Sequence, residues 1–172
     1  MTDLPTPDRG GRTPLPPIDT DQVTRFWERA IASGVIEPTT PRPDSVEPFG
    51  DSAELADELI ELVVQGPKRA TAGALVDCER ESAGLPTLGM ISIATDGGGH
   101  ARAVLRTTEV RIGPLSSVDD SFAWDEGEGD RTRTAWLVAH HRFFRRYLPT
   151  IGVDFDPDMP TVFERFEVLF AE

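Results

Sequence analysis

Gly66-Pro67-Lys68-Arg69-Ala70-Thr71-Ala72-Gly73-Ala74-Leu75-Val76 marks the point where the chain changes period. Before it, Leu55, Leu59, Leu62 and Val63 fall at helical spacing; after it, the apolar segments read as strands of period two. The helix is expected to begin near Asp51, with Asp51 and Glu54 at capping-box spacing. It is expected to end at Gly66, in the left-handed conformation that glycine adopts at low cost. Strands are predicted over 71–76, 89–94, 101–112 and 161–170, with Gly97-Gly98-Gly99 as a hairpin turn. No helix follows those glycines, so a phosphate-binding loop is rejected. A loop with a short helical turn is predicted over 115–130. A helix is predicted over 132–147, where Trp136, Leu137, His140, Phe143, Phe144 and Tyr147 lie on overlapping apolar faces. Helices that lead into short antiparallel strands, with one helix inserted before the last strand, imply an α+β fold. The strand count suits a small curled sheet or β-barrel with flanking helices.

Working outward, residues 1–18 hold five prolines and almost nothing apolar, and are predicted to form a disordered tail. A helix follows from Asp19 or Thr20, with Val23, Phe26, Trp27, Ala30 and Ile31 on one face and Gly34 at its close. Pro38 to Pro48 holds four prolines and reads as an extended strap, so residues 19–48 form a helix-and-strap unit ahead of a main domain over 49–172.

The 172 residues suffice for one domain with a core. No apolar run reaches the length of a membrane span and no leader pattern opens the chain, so a cytoplasmic protein is expected. A single cysteine, Cys78, excludes an internal disulfide framework and is read as a small core or strand residue. A formal charge of −13 argues against broad, nonspecific nucleic-acid binding. Arginines nevertheless gather at Arg102, Arg106 and Arg111 and at Arg131, Arg133, Arg142, Arg145 and Arg146, which leaves room for a local positive cleft. Monomer and homodimer are both compatible with the composition.

Among 17 basic residues Lys68 is the only lysine. Its compact ammonium loses a proton when buried, which guanidinium does not, so lysine at this one place suggests chemistry. With Thr71 it makes a minimal pair of hydroxyl and amine, provided that a turn or bulge brings the two to one face. The run Trp124-Asp125-Glu126-Gly127-Glu128-Gly129-Asp130 reads as a solvated loop from which one carboxylate could turn inward; its spacing is not that of a calcium loop. His140 and His141 are adjacent, lack the four-residue spacing of a helical metal pair, and His140 is read as core-flanking. The arginines of that helix are read as an exposed basic strip. No metal-ligating set is assigned.

Together Gly66-x-Lys68-x-x-Thr71, Arg106-Thr107-Thr108-Glu109-Val110, Phe122-Ala123-Trp124-Asp125-Glu126-Gly127-Glu128-Gly129-Asp130 and Phe163-Glu164-Arg165-Phe166-Glu167-Val168 resemble the ASCH domain (activating signal cointegrator homology) over about residues 49–170. The resemblance implies a PUA-like β-barrel, a cleft around the lysine motif, and RNA or a modified nucleoside as partner. By motif position it implies Lys68, Thr71 and Glu126 as catalytic residues; if RNA is the substrate, Lys68, Arg69, Arg106 and Trp124 are the residues expected to contact it. Cleavage of single-stranded RNA is the first expectation, with a divalent metal ion as a possible helper. The alternatives are an amidohydrolase that deacylates N4-acetylcytidine through Lys68, Thr71 and Glu126, and a module that binds RNA or a nucleotide without catalysis.

Overall fold

Asp19 caps the first helix, α1 (Thr20–Ala32), its carboxylate accepting the Gln22 backbone N–H at 2.9 Å. The computed structural model describes residues 11–80 and 84–172, so the first ten residues of the expected tail lie outside the described residues. After α1 come β1 (Ser45–Pro48), α2 (Ala53–Val64), β2 (Ala70–Ala74), α3 (Leu75–Arg80), β3 (Ile91–Thr95) and β4 (Ala101–Pro114). α4 (Asp120–Glu126), α5 (Arg133–Tyr147) and β5 (Pro160–Ala171) complete the chain. The strand order is β1-β3-β4-β5-β2. β1 runs parallel to β3, while β3 pairs antiparallel with β4 and β2 antiparallel with β5. The α+β class expected from the sequence is what the elements show.

The chain divides into two units. The first comprises residues 1–65, 90–106 and 168–172. Its core is the apolar face of α1, with Phe26, Trp27 and Ala30 packed among Ile36, Ile93, Ala101 and Val104. Phe26 meets Phe170 edge-on, with ring centroids 5.3 Å apart. The predicted glycine turn closes β3 onto β4: the Asp96 N–H donates to His100 O at 2.9 Å and the Gly99 N–H to Asp96 O at 3.0 Å. Gly97 is pressed against the start of α2, where a Cβ would run into the Ala53 carbonyl oxygen.

The second unit comprises residues 66–89 and 107–167. Its core sets Phe122 and Ala123 of α4 and Trp136 and Phe144 of α5 against Ala70 and Ala74 of β2 and Phe163 of β5. Phe122 packs edge-on to both Phe163 and Trp136. The small side chains of β2 let the two helices lie close to the strand, a fit of shape that aromatic burial rewards.

Several expectations need correction. The predicted strand 71–76 ends at Ala74, and Leu75–Arg80 coils into α3, which puts half-buried Cys78 on a helix rather than in a strand or the core. The proline-rich strap hides β1, whose residues pair from Ser45↔Ser92 to Pro48↔Thr95 at the end of the strand order, where proline is tolerated. Ser52, not Asp51, caps α2, its hydroxyl accepting the Leu55 N–H at 3.3 Å. Glu54 does not close a capping box; it accepts the Thr13 N–H and hydroxyl, while Arg12 pairs with Asp51 at 3.1 Å. Residues 12 and 13 of the predicted tail are thereby fastened to α2. The helix ends with Gln65 as a right-handed C-cap, and Gly66 is not among the residues of positive φ. The single helical turn predicted within 115–130 is a 3-10 turn followed by the full helix α4.

Candidate functional site

Everything that surrounds the Lys68 ammonium is set by how α4 ends. Asp119 caps α4 by accepting the Phe122 N–H at 2.8 Å, and burial of Phe122 and Ala123 fixes the helix on its core face. The helix stops at Gly127, with φ 73°, in the left-handed conformation. A Cβ at Gly127 would lie 2.8 Å from Lys68 N and 3.0 Å from Lys68 Cα, so the missing side chain is what lets the two backbones touch. The Arg69 N–H donates to Asp125 O at 2.7 Å, and the Phe166 N–H donates to Arg69 O at 3.0 Å. Arg165 braces the same helix through Nε to Asp125 Oδ2 at 2.9 Å and Nη2 to Ser121 Oγ at 3.3 Å, and ties it to β4 through Nη1 to Glu109 Oε1 at 2.8 Å.

This docking carries Glu126 and Glu128 to Lys68. The Lys68 ammonium is wholly buried, 2.6 Å from Glu128 Oε1 and 3.6 Å from Glu126 Oε1. Glu126 is itself 2% exposed, whereas the Glu128 side chain keeps 28% of its surface. From α5, begun by the Thr132 cap, Trp136 and His140 stand one turn apart and stack with centroids 3.6 Å apart and planes at 13°. The Trp136 indole N–H donates to Glu126 Oε2, and His140 Nε2 lies 3.3 Å from Glu126 Oε1. His140 Nδ1 lies 3.0 Å from the Trp136 carbonyl oxygen. An imidazolium satisfies both contacts, since both ring nitrogens then donate.

The charges follow from these contacts. Burial pushes the Glu126 carboxyl up, but attraction to His140 and Lys68 and hydrogen bonds from His140 and Trp136 outweigh it and hold the group at about 2. Burial pushes His140 down, yet the Glu126 carboxylate beside it leaves its pKa raised. A folded-state carboxyl held low adds stability above its unfolded pKa and loses it as pH falls through the folded value. A histidine held high adds stability below its unfolded pKa and loses it as pH rises through the folded value. Urea unfolding should therefore show stability falling as pH rises above about 6.5, and this fall should be absent from His140→Asn. A decline of equal size in the variant would show that His140 is not the charged partner of Glu126.

The structure thus joins Lys68 to Glu126 and adds three residues whose roles the sequence did not disclose: Glu128, Trp136 and His140. Thr71 lies on β2, half-buried, in register with Glu164 of β5, whose carboxylate accepts the Thr107 hydroxyl at 2.6 Å. Its own hydroxyl makes no hydrogen bond to Lys68. Arg69 is exposed and Nη1 donates to the Lys68 carbonyl oxygen at 2.6 Å. Trp124 is 56% exposed on α4, with the Arg131 guanidinium 3.7 Å from its ring centre. Arg106 is exposed and belongs to the first unit, in register with Ile91 of β3. Among the described residues no group of three or more histidine, cysteine or acidic side chains is placed to hold a metal ion. No helix among them is long and apolar enough to cross a membrane.

The sequence matches the ASCH domain over residues 45–170, and the chain belongs to that family. Its fold is similar to that of an ASCH domain from Lactobacillus crispatus JV V101, at 26% identity and a TM-score of 0.74, covering 87% of this chain and 94% of the other. It is also similar to the crystal structure of protein EF3133 from Enterococcus faecalis V583, at 36% identity and a TM-score of 0.73, covering 86% and 88% of the two chains. These likenesses bear out the PUA-like fold expected from the sequence. No curated protein matches the chain.

Proposed function

We propose that the Lys68 site is the acid–base centre of an amidohydrolase acting on an acylated nucleobase, for which N4-acetylcytidine is the probe. The observation that supports this reading is charge balance: the ammonium is buried against two carboxylates, at 2.6 and 3.6 Å. A phosphodiester needs surplus positive charge, whereas a neutral amide needs a fixed cation and a carboxylate beside it. In this reading the Glu128 carboxylate, the one that meets solvent, takes a proton from water as the water oxygen bonds to the acetyl carbon. The carbonyl oxygen becomes anionic against the Lys68 ammonium. The carbon–N4 bond then breaks, N4 receives the proton from Glu128, and cytidine and acetic acid leave, the acid giving its proton to solvent. Glu126, tied down by Trp136, His140 and Lys68, positions the lysine. Thr71 as nucleophile is the competing route within the same chemistry, and Thr71→Val separates the two: rate retained within about ten-fold supports water, and complete loss supports threonine.

The test is release of cytidine from N4-acetylcytidine, followed by chromatography, for wild type and Glu128→Gln. Rapid release by the wild type with a loss of roughly 10²–10⁴-fold in the variant is expected. Release that is equal in both sinks the assignment of Glu128.

A second reading, cleavage of single-stranded RNA, is favoured by one observation, the exposed Trp124 ring stacked with Arg131. Such a ring offers a sequence-tolerant platform for a base, worth roughly 1–3 kcal/mol. Trp124→Ala should weaken binding of a short single-stranded RNA by about ten-fold or more while moving stability by less than about 0.5 kcal/mol. Unchanged RNA affinity in an anisotropy titration would remove Trp124 from the account.

A further inference from the structure

We propose that the outer face of α5 is a second binding site, one that takes the phosphate groups of a single-stranded nucleic acid. It is independent of the chemistry assigned to Lys68. Between Arg131 and Val153 the chain has five arginines and no aspartate or glutamate, although its overall formal charge is −13. On α5 this stretch forms a surface groove of about 590 Å³ lined by Val138, His141, Arg142, Arg145 and Arg146. Residues 138, 141/142 and 145/146 recur at helical spacing, so the lining is one stripe about 10 Å long. That length fits a linear anion rather than a single compact one.

Elsewhere Arg12 pairs with Asp51, Arg29 with Glu172, Arg102 with Glu61, and Arg165 with Asp125 and Glu109. Arg142 and Arg145 form no ion pair with a described carboxylate. Arg145 is held in place instead by Phe155, its guanidinium 5.2 Å from the ring centre, and His141 packs edge-on to the same ring at 5.3 Å. An aromatic ring that steadies a guanidinium without neutralising it leaves the planar fork available for phosphate oxygens, which is the recognition arginine serves best. Val138 is the one large apolar side chain exposed in this groove and the rest of the lining is basic, which favours a nucleic-acid strand over a folded protein partner.

The test is fluorescence anisotropy of a labelled oligouridine at salt concentrations from 50 to 200 mM. Wild type is compared with Arg142→Ala/Arg145→Ala. Each phosphate contact on a single strand contributes about 0.7 to the slope of log affinity against log salt, so loss of two should flatten the slope by about 1.4. Affinity at 50 mM salt should drop more than about ten-fold, since that slope is lost together with two charge-assisted contacts. Both changes, with cytidine release from N4-acetylcytidine unaltered, are the expected result. The proposal is overturned by a wild type that does not bind the strand at 50 mM salt, or by a double variant with the same affinity and slope. It is also overturned if polyglutamate or uridine triphosphate competes as well as the unlabelled strand. Those last outcomes would assign the face to an acidic protein or to a free nucleotide. Because both arginines lie outside the Lys68 site, failure here leaves the amidohydrolase reading standing, and the reverse also holds.

Discussion

Lys68→Met is expected to lower stability by about 3–5 kcal/mol at pH 7, the scale for removing one partner of a buried ion pair. The methionine fills similar volume, so the loss is electrostatic: Glu126, 2% exposed, keeps its charge but loses the cation 3.6 Å away. Glu128 is still able to turn to solvent and adds little. The deficit should narrow as pH falls, because protonation removes the buried charge that Lys68 no longer balances. Urea unfolding of wild type and variant at pH 7 and at pH 4 measures both effects. A second variant, Glu126→Gln, completes a cycle in which the double variant is less destabilised than the sum of the two single ones. A deficit that does not change with pH would mean that Lys68 supports the fold by packing rather than by charge. The same substitution should abolish cytidine release, because no cation then faces the developing oxyanion.

Gly127→Ala is the other severe change expected. Gly127 sits at φ 73°, where a side chain costs about 1–2 kcal/mol on conformational grounds. Its Cβ would also meet backbone at 2.8 Å, and backbone cannot swing aside as a flexible side chain can. Forcing α4 away from Lys68 adds about 1–3 kcal/mol, as for overpacking, so a total near 2–5 kcal/mol is expected. Gly129 is the internal control. Its φ is 56°, yet nothing lies within 4 Å of a Cβ built there, so Gly129→Ala should cost the conformational part alone. Thermal unfolding of the two variants should separate them by several degrees. Cytidine release should fall in Gly127→Ala far more than in Gly129→Ala. Equal losses would mean that the close approach at Lys68 is not what positions the carboxylates.

What the sequence disclosed and what it withheld have physical reasons. Lys68 stands out because a chain that uses arginine elsewhere has little reason to keep one lysine, and the resemblance to the ASCH motifs points to Glu126. Glu128 did not stand out, because four carboxylates in six residues look like any solvated loop and only the left-handed stop at Gly127 turns two of them inward. His140 was legible as a partner of the core but not of Glu126: Trp136 and His140 stack four residues apart, as apolar pairs on a helix also do. β1 was masked by prolines, which strands accept mainly at sheet edges, and α3 by Leu75 and Val76, which extend an apolar run without showing its period. β4 and β5 are legible in the sequence to within a few residues because period two is a local signal.

The most direct test of the account is cytidine release from N4-acetylcytidine by wild type and by Lys68→Arg, in protein first shown to be folded by thermal unfolding. Guanidinium keeps the positive charge but cannot fit the same compact position between Glu126 and Glu128. The account predicts steady release by the wild type and loss of at least about 10²-fold in the variant, the scale for one misplaced oxyanion donor. No release by the wild type, or release within a few-fold in Lys68→Arg, would contradict it.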